Sequence, residues 1–568
     1  MKSAQFVTVA LAFIFLAACQ PAEASTTNTA SPQSQATQAP QSTQAPQPQA
    51  EHRIGIRQVN GKAEFYDKVT NQTFVVRGAN YVFTLAGSVP LFKVGTYDPQ
   101  LTRQDFTKLA SLGYNTVHVF LDMCGSGTGC IGDADNIGLN PNFLANLADI
   151  TLAARDAGIY VLFTSNDIPD QGGYSQEANR GSGGTFAGYR NSYYLQPQSV
   201  SATRHYWRDV ITGLAEQDAA FEAILGWELV EEQWMFLDQS PLSLTNGSVE
   251  TTTGTYDMSD AQQKKEMVSD GLIYYITQVK AEILRYDPTA LVAMGFFVPE
   301  LVAPDWYVDT TPLLQNSDLD FFDFHAYSGP LSLQAHADAF GMLDFESKPI
   351  IMGECGAFTD RYPDINSAAR STTNWVAESC ELGFDGWLYW AYRPANASFN
   401  DQTWGLTDDN DFLLNLFAPV NQPDPCVPVE IASGNIAYGK PATASASLSD
   451  SPASNAVDED SSSLWNSGNG SVQWIEIDLQ SLYTISEVRL LVSQYPDGNT
   501  VHHVQVRATS SDSFTTVHEF SGPTKDNDWL VFKPDSPVEG VGFIRIHTVT
   551  SQSWIAWKEI QVFGDLGQ

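Results

Sequence analysis

Glu232 and Glu354 are the residues whose positions imply chemistry, because each closes an apolar, strand-like run. Two carboxyls brought together from different strands can divide the work of cleaving an acetal. One stays neutral and protonates the leaving oxygen; the other stays ionised and attacks the anomeric carbon, with the pair about 5 to 5.5 Å apart. Glu354 is assigned the nucleophile and Glu232 the acid, with the adjacent Glu231 open as an alternative acid. Tyr327 is placed to donate its hydroxyl to Glu354 and hold it ionised, and His325 to orient the acid or bind a hydroxyl. Trp390 offers an apolar face to a ring. His118, Asn80, Arg77 and Trp234 are further candidates for binding a substrate.

The elements that must position these groups alternate along residues 73–392. Eight β-rich runs are 73–82, 115–121, 159–164, 223–232, 291–297, 321–327, 349–356 and 386–392. Amphipathic segments such as 102–111, 143–157 and 259–285 separate them. Strand and helix repeated in this way demand a parallel sheet, since parallel neighbours need a long crossover. The fold class is therefore α/β, a (β/α)8 TIM barrel over residues 51–420, whose chemistry sits at the carboxyl ends of its strands. Glu232 belongs to the fourth run and Glu354 to the seventh.

Four motifs in that order resemble glycoside hydrolase family 5 and related clan A enzymes: GWELVEEQ (226–233), FHAY (324–327), IMGECG (351–356) and GWLYWAYRP (386–394). The resemblance implies a retaining mechanism, with the acid/base after strand four and the nucleophile after strand seven. It also implies two departures. Glu231 stands where the family has Asn, which replaces an amide donor by a group that, ionised, only accepts. His118 stands where the family commonly has an Arg supporting the nucleophile.

The chain's 568 residues call for more than one folded unit. Residues 1–19 read as an export signal ending in Leu-Ala-Ala-Cys, which resembles a bacterial lipobox and implies lipid on Cys19. Residues 20–50 are a Gln/Pro/Ser/Thr-rich tether with too little apolar area to fold. The expected address is the cell envelope, at the outer membrane of a Gram-negative cell, with membrane contact through the lipid only. A formal charge of −37, from 66 acidic and 29 basic residues, excludes nucleic acid as a partner. Cys124 and Cys130 are expected to form a small disulfide in an exported protein, while Cys355, Cys380 and Cys426 stay unassigned. No zinc-like or phosphate-binding spacing occurs, and no cofactor is expected for catalysis.

After a Pro-rich linker at 421–434, residues 435–568 switch to short alternating strands, as in an all-β sandwich. NIAYGKPATAS, NAVDEDSSSLW, QWIEIDLQ and WIAWKEIQVFG resemble the discoidin or coagulation factor type C domain, a jelly roll that includes carbohydrate-binding module family 32. That resemblance implies structural roles for Trp465 and Trp474 and a structural calcium at Asp458, Ser463 and Glu559, with Glu459 at a usual Gly position. Tyr495, His547 and Trp554 are the loop candidates for a ligand. The expected whole is a monomeric, retaining β-glycosidase acting on a polysaccharide or oligosaccharide. The alternatives are a non-catalytic glycan-binding lipoprotein, or a transglycosylase or glycolipid-cleaving enzyme on the same barrel.

Overall fold

The computed structural model describes residues 50–82, 91–121, 127–179, 186, 190–298, 305–329, 331–362, 364–393, 403–428 and 434–566. Cys19 and Cys124 lie outside the described residues, as do the signal and tether but for Ala50.

Eight parallel strands form a closed ring. In order they are Val76–Asn80, Thr116–Phe120, Tyr160–Thr164, Ile224–Glu228, a split fifth strand (Val292–Ala293 and Gly295–Phe297), Phe322–His325, Ile350–Cys355 and Gly386–Tyr389. The fifth strand pairs with the fourth through Val292 and Ala293 and with the sixth through Gly295 to Phe297, and strand eight pairs with strand one from Gly386↔Val76 onward. Every strand is shorter than its apolar run. Residues such as Leu229 to Glu232 and Ala326 to Tyr327 have left the ladder, and they form the loops at the mouth. The crossover helices start with sequence-encoded caps. Asp98 accepts from the backbone N–H of Gln100 and Leu101 at the head of Pro99–Ser111, with Pro in the first turn where no donor is needed. Gly158, at φ 76°, ends Pro141–Ala157 in the left-handed conformation that glycine tolerates best.

The barrel interior is layered. At the amino-terminal end, Val76, Leu162, Ala293, Phe321, Ile351 and Leu388 pack against Ile54 and Phe65. These last two belong to an antiparallel hairpin, Ile54–Val59 with Lys62–Asp67, that plugs this end. Above the apolar floor the lining becomes polar and remains buried: Asn80, His118, Glu228 and Asp323 are all 0% exposed. Such groups are tolerated away from water only when they partner one another. The candidate catalytic residues sit on top of this layer.

The C-terminal unit is an antiparallel sandwich. Its main strands are Gln473–Ser493, Gly498–Arg507, Thr515–Thr524, Val538–Thr550 and Ala556–Leu566, around a core containing Trp465, Trp557, Ile475 and Ile546. Trp465 is buried in that core, and Trp474 is covered by the Arg545 guanidinium at 4.3 Å. The segment between the units is not a free linker at its start: Cys426 is disulfide-bonded to Cys380 on helix Ile365–Glu381, and the Gln422 carbonyl accepts from Arg77. Cys130 is also disulfide-bonded, and Cys355 is a buried free thiol. Among the described residues, no helix is long and apolar enough to cross a membrane.

Candidate active site

Strand seven delivers Glu354 into the barrel next to a register shift between Met352 and Cys355. The loop after strand four delivers Glu231 and Glu232, and strand six ends on His325. One donor atom from each of Glu231, Glu232, His325 and Glu354 lies within 4.8 Å of all the others. His325 Nδ1 is 3.0 Å from Glu232 Oε1 and 3.6 Å from Glu354 Oε2. Tyr327 donates its hydroxyl to Glu354 Oε2 at 2.5 Å. Glu354 is only 1% exposed and Glu232 7%.

Burial acts on all three carboxyls in the same direction. It pushes Glu232 up to about 8 against the opposing charge of Arg190, and Glu231 up to about 8 with further help from Glu232. Glu354 is pushed well above the ordinary carboxylate range by burial and by the charges of Glu231 and Glu232. Three carboxylates this close cannot all be ionised in a dry site, so they share protons. Glu231 and Glu354 bring carboxyl oxygens within 4.8 Å of each other, and Glu354 Oε1 is buried without a hydrogen-bond partner.

Below them lies a second buried set. His118 Nδ1 is 2.7 Å from Asn80 Oδ1, and its Nε2 is 2.8 Å from Glu228 Oε2. Asn80 Nδ2 donates to the carbonyls of Gly353 and Tyr389, which fixes the amide orientation and makes Oδ1 the acceptor. His118 therefore carries its proton on Nδ1. Burial, aided by the charge of His325, holds His118 well below its ordinary pKa, and burial with Asp323 and Glu231 lifts Glu228 well above its own. The pair is accordingly neutral, with Glu228 donating to His118. Asp323, pushed up to about 7 by burial, lies 3.8 Å from His325 Nε2 and links the two layers. Each of the two sets, Glu231/Glu232/His325/Glu354 and His118/Glu228/Asp323, has the ligand chemistry to hold one divalent cation.

Several site expectations change on inspection. Arg77 faces outward: it donates to the carbonyls of Gln422 and Phe417 and lies over Trp387 at 5.6 Å. Period-2 alternation sends Arg77 out where Asn80 points in, so Arg77 ties the C-terminal segment to the barrel instead of binding substrate. Asn80 braces strands seven and eight and is closed to solvent, so it too is a structural residue. Both ring nitrogens of His118 are engaged by Asn80 and Glu228, so it supports the floor of the site and not Glu354 directly. Trp390 stands beside Tyr327 in an aromatic wall with Phe120 and Phe358. Trp234 stacks on Trp306 at 4.4 Å, with the Arg190 guanidinium 4.3 Å from its ring.

Arg190 is a residue the sequence reading missed. It donates to the carbonyls of Glu232 and Trp234 and so pins the loop that carries the acid. Nothing in its local sequence marks it, as it comes from a distant connection. Glu228 and Asp323 were legible in principle: Asp323 precedes His325 by two positions, which places both on the inner face of one strand.

In the sandwich, Ser463 Oγ donates to Asp458 Oδ2 at 2.8 Å. Both carboxylate oxygens of Glu559 are buried without a hydrogen-bond partner. Burial and the charges of Asp458, Asp364 and Asp460 hold Glu559 well above its ordinary range. Such orphaned oxygens beside Asp458 fit a bound cation. Glu459 takes the usual glycine's left-handed backbone at φ 59° and turns its side chain to Arg370 of the barrel helix Ile365–Glu381. Tyr495 and Trp554 are exposed neighbours at one end of the sandwich, joined through Ser553.

Comparison with known proteins finds no curated protein that matches the chain. Among solved structures, the chain is similar to a β-mannanase from the blue mussel Mytilus edulis at 14% identity, covering 66% of this chain and 97% of that one with a TM-score of 0.41. It is similar to an exo-β-1,4-mannosidase from Opitutaceae bacterium strain TAV5 at 17% identity, covering 66% and 64% with a TM-score of 0.42. It is also similar to a chitosan-binding module of a chitosanase/glucanase from Paenibacillus sp. IK-5, at 27% identity over 23% of this chain and 98% of that one, with a TM-score of 0.20. Residues 441–560 match the F5/8 type C domain family, so the sandwich that follows the TIM barrel is a discoidin domain.

Proposed function

We propose that the protein is a retaining glycoside hydrolase that cleaves β-glycosidic bonds of a polysaccharide or oligosaccharide, with the discoidin domain as its carbohydrate-binding module. One observation carries this reading: Glu232 and Glu354, from strands four and seven, bring carboxyl oxygens within 4.8 Å at the mouth of the barrel. That close approach supports a nucleophile and acid/base pair over the wider gap that holds the water of an inverting enzyme.

In the first step a Glu354 oxygen bonds to the anomeric carbon while the glycosidic C–O bond breaks and Glu232 gives its proton to the leaving oxygen. In the second, Glu232 takes a proton from water, the water oxygen bonds to the anomeric carbon, and the ester bond breaks to free the Glu354 carboxylate. Tyr327 stabilises the ionised nucleophile through its hydroxyl. His325 holds Glu232, and Trp390 supplies a face for the ring. No cofactor is needed for either step.

The test is a polysaccharide panel read by reducing sugar and product size, beside Glu354→Gln. Wild-type activity in that variant would remove the nucleophile assignment. Glu231→Gln and Glu232→Gln, assayed on an activated aryl glycoside with azide, separate the two candidate acids, since azide rescues only loss of the acid/base.

The rest of the reading concerns placement. The protein is a monomer anchored in the bacterial envelope by lipid on Cys19, with residues 20–50 as tether. Asp458, Ser463 and Glu559 would hold a calcium ion that supplies the positive charge the Glu559 oxygens lack. Tyr495 and Trp554 are the sugar-facing residues of the module. A melting temperature of the discoidin domain unchanged by a chelator would remove the calcium.

A further inference from the structure

Glu459 stands where the discoidin resemblance implies glycine, and its side chain reaches outside its own domain. The carboxylate pairs with Arg370 on the barrel helix Ile365–Glu381, and the Arg370 guanidinium in turn lies 4.8 Å from the centre of the Tyr438 ring of the sandwich. Two positions on, Ser461 Oγ is 2.9 Å from the carbonyl oxygen of Asp360 and 2.7 Å from that of Arg361, so its one proton is shared between them. The Ser461 N–H donates to the same Arg361 carbonyl at 3.3 Å. Gln561 Nε2 adds a 3.4 Å bond to Asp364 Oδ2, at the N-cap of that helix. Units joined only by a linker move against one another by default. This sandwich instead grips a turn of the barrel, 358–362, and the helix that follows it.

The same turn and helix hold the candidate site from their other side. Arg361 Nη1 donates to the Ser328 carbonyl at 2.8 Å, and Trp375 Nε1, on the helix, donates to the Ala326 carbonyl at 2.8 Å. Both donor side chains are buried. The two carbonyls flank Tyr327, whose hydroxyl donates to Glu354 Oε2. Phe358, whose carbonyl accepts from the N–H groups of Arg361 and Tyr362, packs its ring 4.9 Å from that of Tyr327. The backbone on either side of Tyr327, and the packing of its ring, are thus set by groups that the sandwich holds from outside.

We propose that the discoidin domain is part of the construction of the active site. Ser461 and Glu459 are positioning residues that act through the turn 358–362 and the helix Ile365–Glu381 to set Tyr327 against Glu354. This rests on the hydrolase reading and gives the sandwich a role in the reaction besides holding glycan. A hydroxyl that must meet one carboxylate oxygen is sensitive to small displacements, since a misplacement on the order of 1 Å can cost about 100-fold in rate. Loosening the turn should therefore act on kcat even with a substrate too short to reach the sandwich. A module that only gathers polysaccharide should have no effect there.

The test uses the full chain as wild type, Ser461→Ala, Ser461→Thr, which keeps the hydroxyl, and Ser511→Ala, on an exposed turn of the sandwich. Two quantities are read: hydrogen exchange of the peptide 357–362 by mass spectrometry, and hydrolysis of a short activated aryl glycoside of the sugar that the polysaccharide panel identifies. Ser461→Ala should speed exchange of 357–362 about tenfold, the scale of a lost hydrogen bond. It should lower kcat about 3- to 10-fold with KM little changed. Ser461→Thr should restore both, and Ser511→Ala should change neither. Unaltered exchange in Ser461→Ala overturns the proposal, as does faster exchange with kcat within about 1.5-fold of wild type. Either result leaves the hydrolase reading standing when wild type cleaves the glycoside and Glu354→Gln does not. No hydrolysis of any glycan by wild type would discard the hydrolase and this role with it, whatever the exchange shows.

Discussion

The Tyr327 hydroxyl donates to Glu354 Oε2 over 2.5 Å, with both side chains buried. This is the hydrogen bond that favours the ionised form of a carboxyl which burial otherwise drives toward neutrality. Tyr327→Phe should lower kcat by about 10- to 100-fold, the range for one hydrogen bond to a charged group, with KM little changed. A kcat within twofold of wild type would show that Glu354 does not depend on it.

The acid must be protonated to act, and burial pushes Glu232 up to about 8. The kcat/KM profile should hold through neutrality and fall as pH rises through about 8. Glu232→Gln should abolish that limb on an activated aryl substrate, where no proton is required of the enzyme. A limb that persists unchanged in this variant would assign it to another group.

Stability should respond to pH through the same groups. The folded values of Glu231 and Glu232, about 8, lie above their ordinary 4.5, so the native state binds more protons between these limits. Their stabilisation is full below about pH 4.5 and is lost as pH rises through about 8. The melting temperature of Glu231→Gln should fall less steeply than that of wild type between pH 5 and 8, measured by circular dichroism. A steeper fall would contradict the shared-proton account.

Arg370 and Glu459 join the barrel to the sandwich as a buried ion pair, and Ser461 Oγ adds bonds to the carbonyls of Asp360 and Arg361. Removing one member leaves the other charge stranded, at about 3–5 kcal/mol. Arg370→Ala should therefore lower the melting temperature, whereas Arg370→Met with Glu459→Gly should recover most of the loss. Equal stability of both variants would mean the pair is solvated in solution.

The Cys380–Cys426 disulfide closes a 46-residue separation. Cys426→Ala should cost about 2–4 kcal/mol, chiefly by freeing the unfolded chain, read as a shift in the denaturant midpoint.

The alternation of apolar runs with amphipathic segments was sufficient to read the barrel, because each run must be buried on both faces and each helix on one. Strand order and the positions of Glu232 and Glu354 followed from the same count. The ends of the strands were less legible: 223–232 reads as one apolar run, yet the ladder stops at Glu228 and the next four residues turn into the mouth. Cys380 and Cys426 carried no local signal, since 46 intervening residues hide their approach.

What the sequence by itself determined is the architecture and the identity of the residues at the strand ends, since periodicity and turn chemistry are local properties. The tertiary structure alone decided which of those residues share a space. Arg77 and Asn80, three positions apart, part company because one faces out and the other in. Glu231, Glu232, His325 and Glu354 become one cluster only because the barrel brings the ends of three strands together and buries them, and the interaction of their charges depends on that burial far more than on their spacing along the chain.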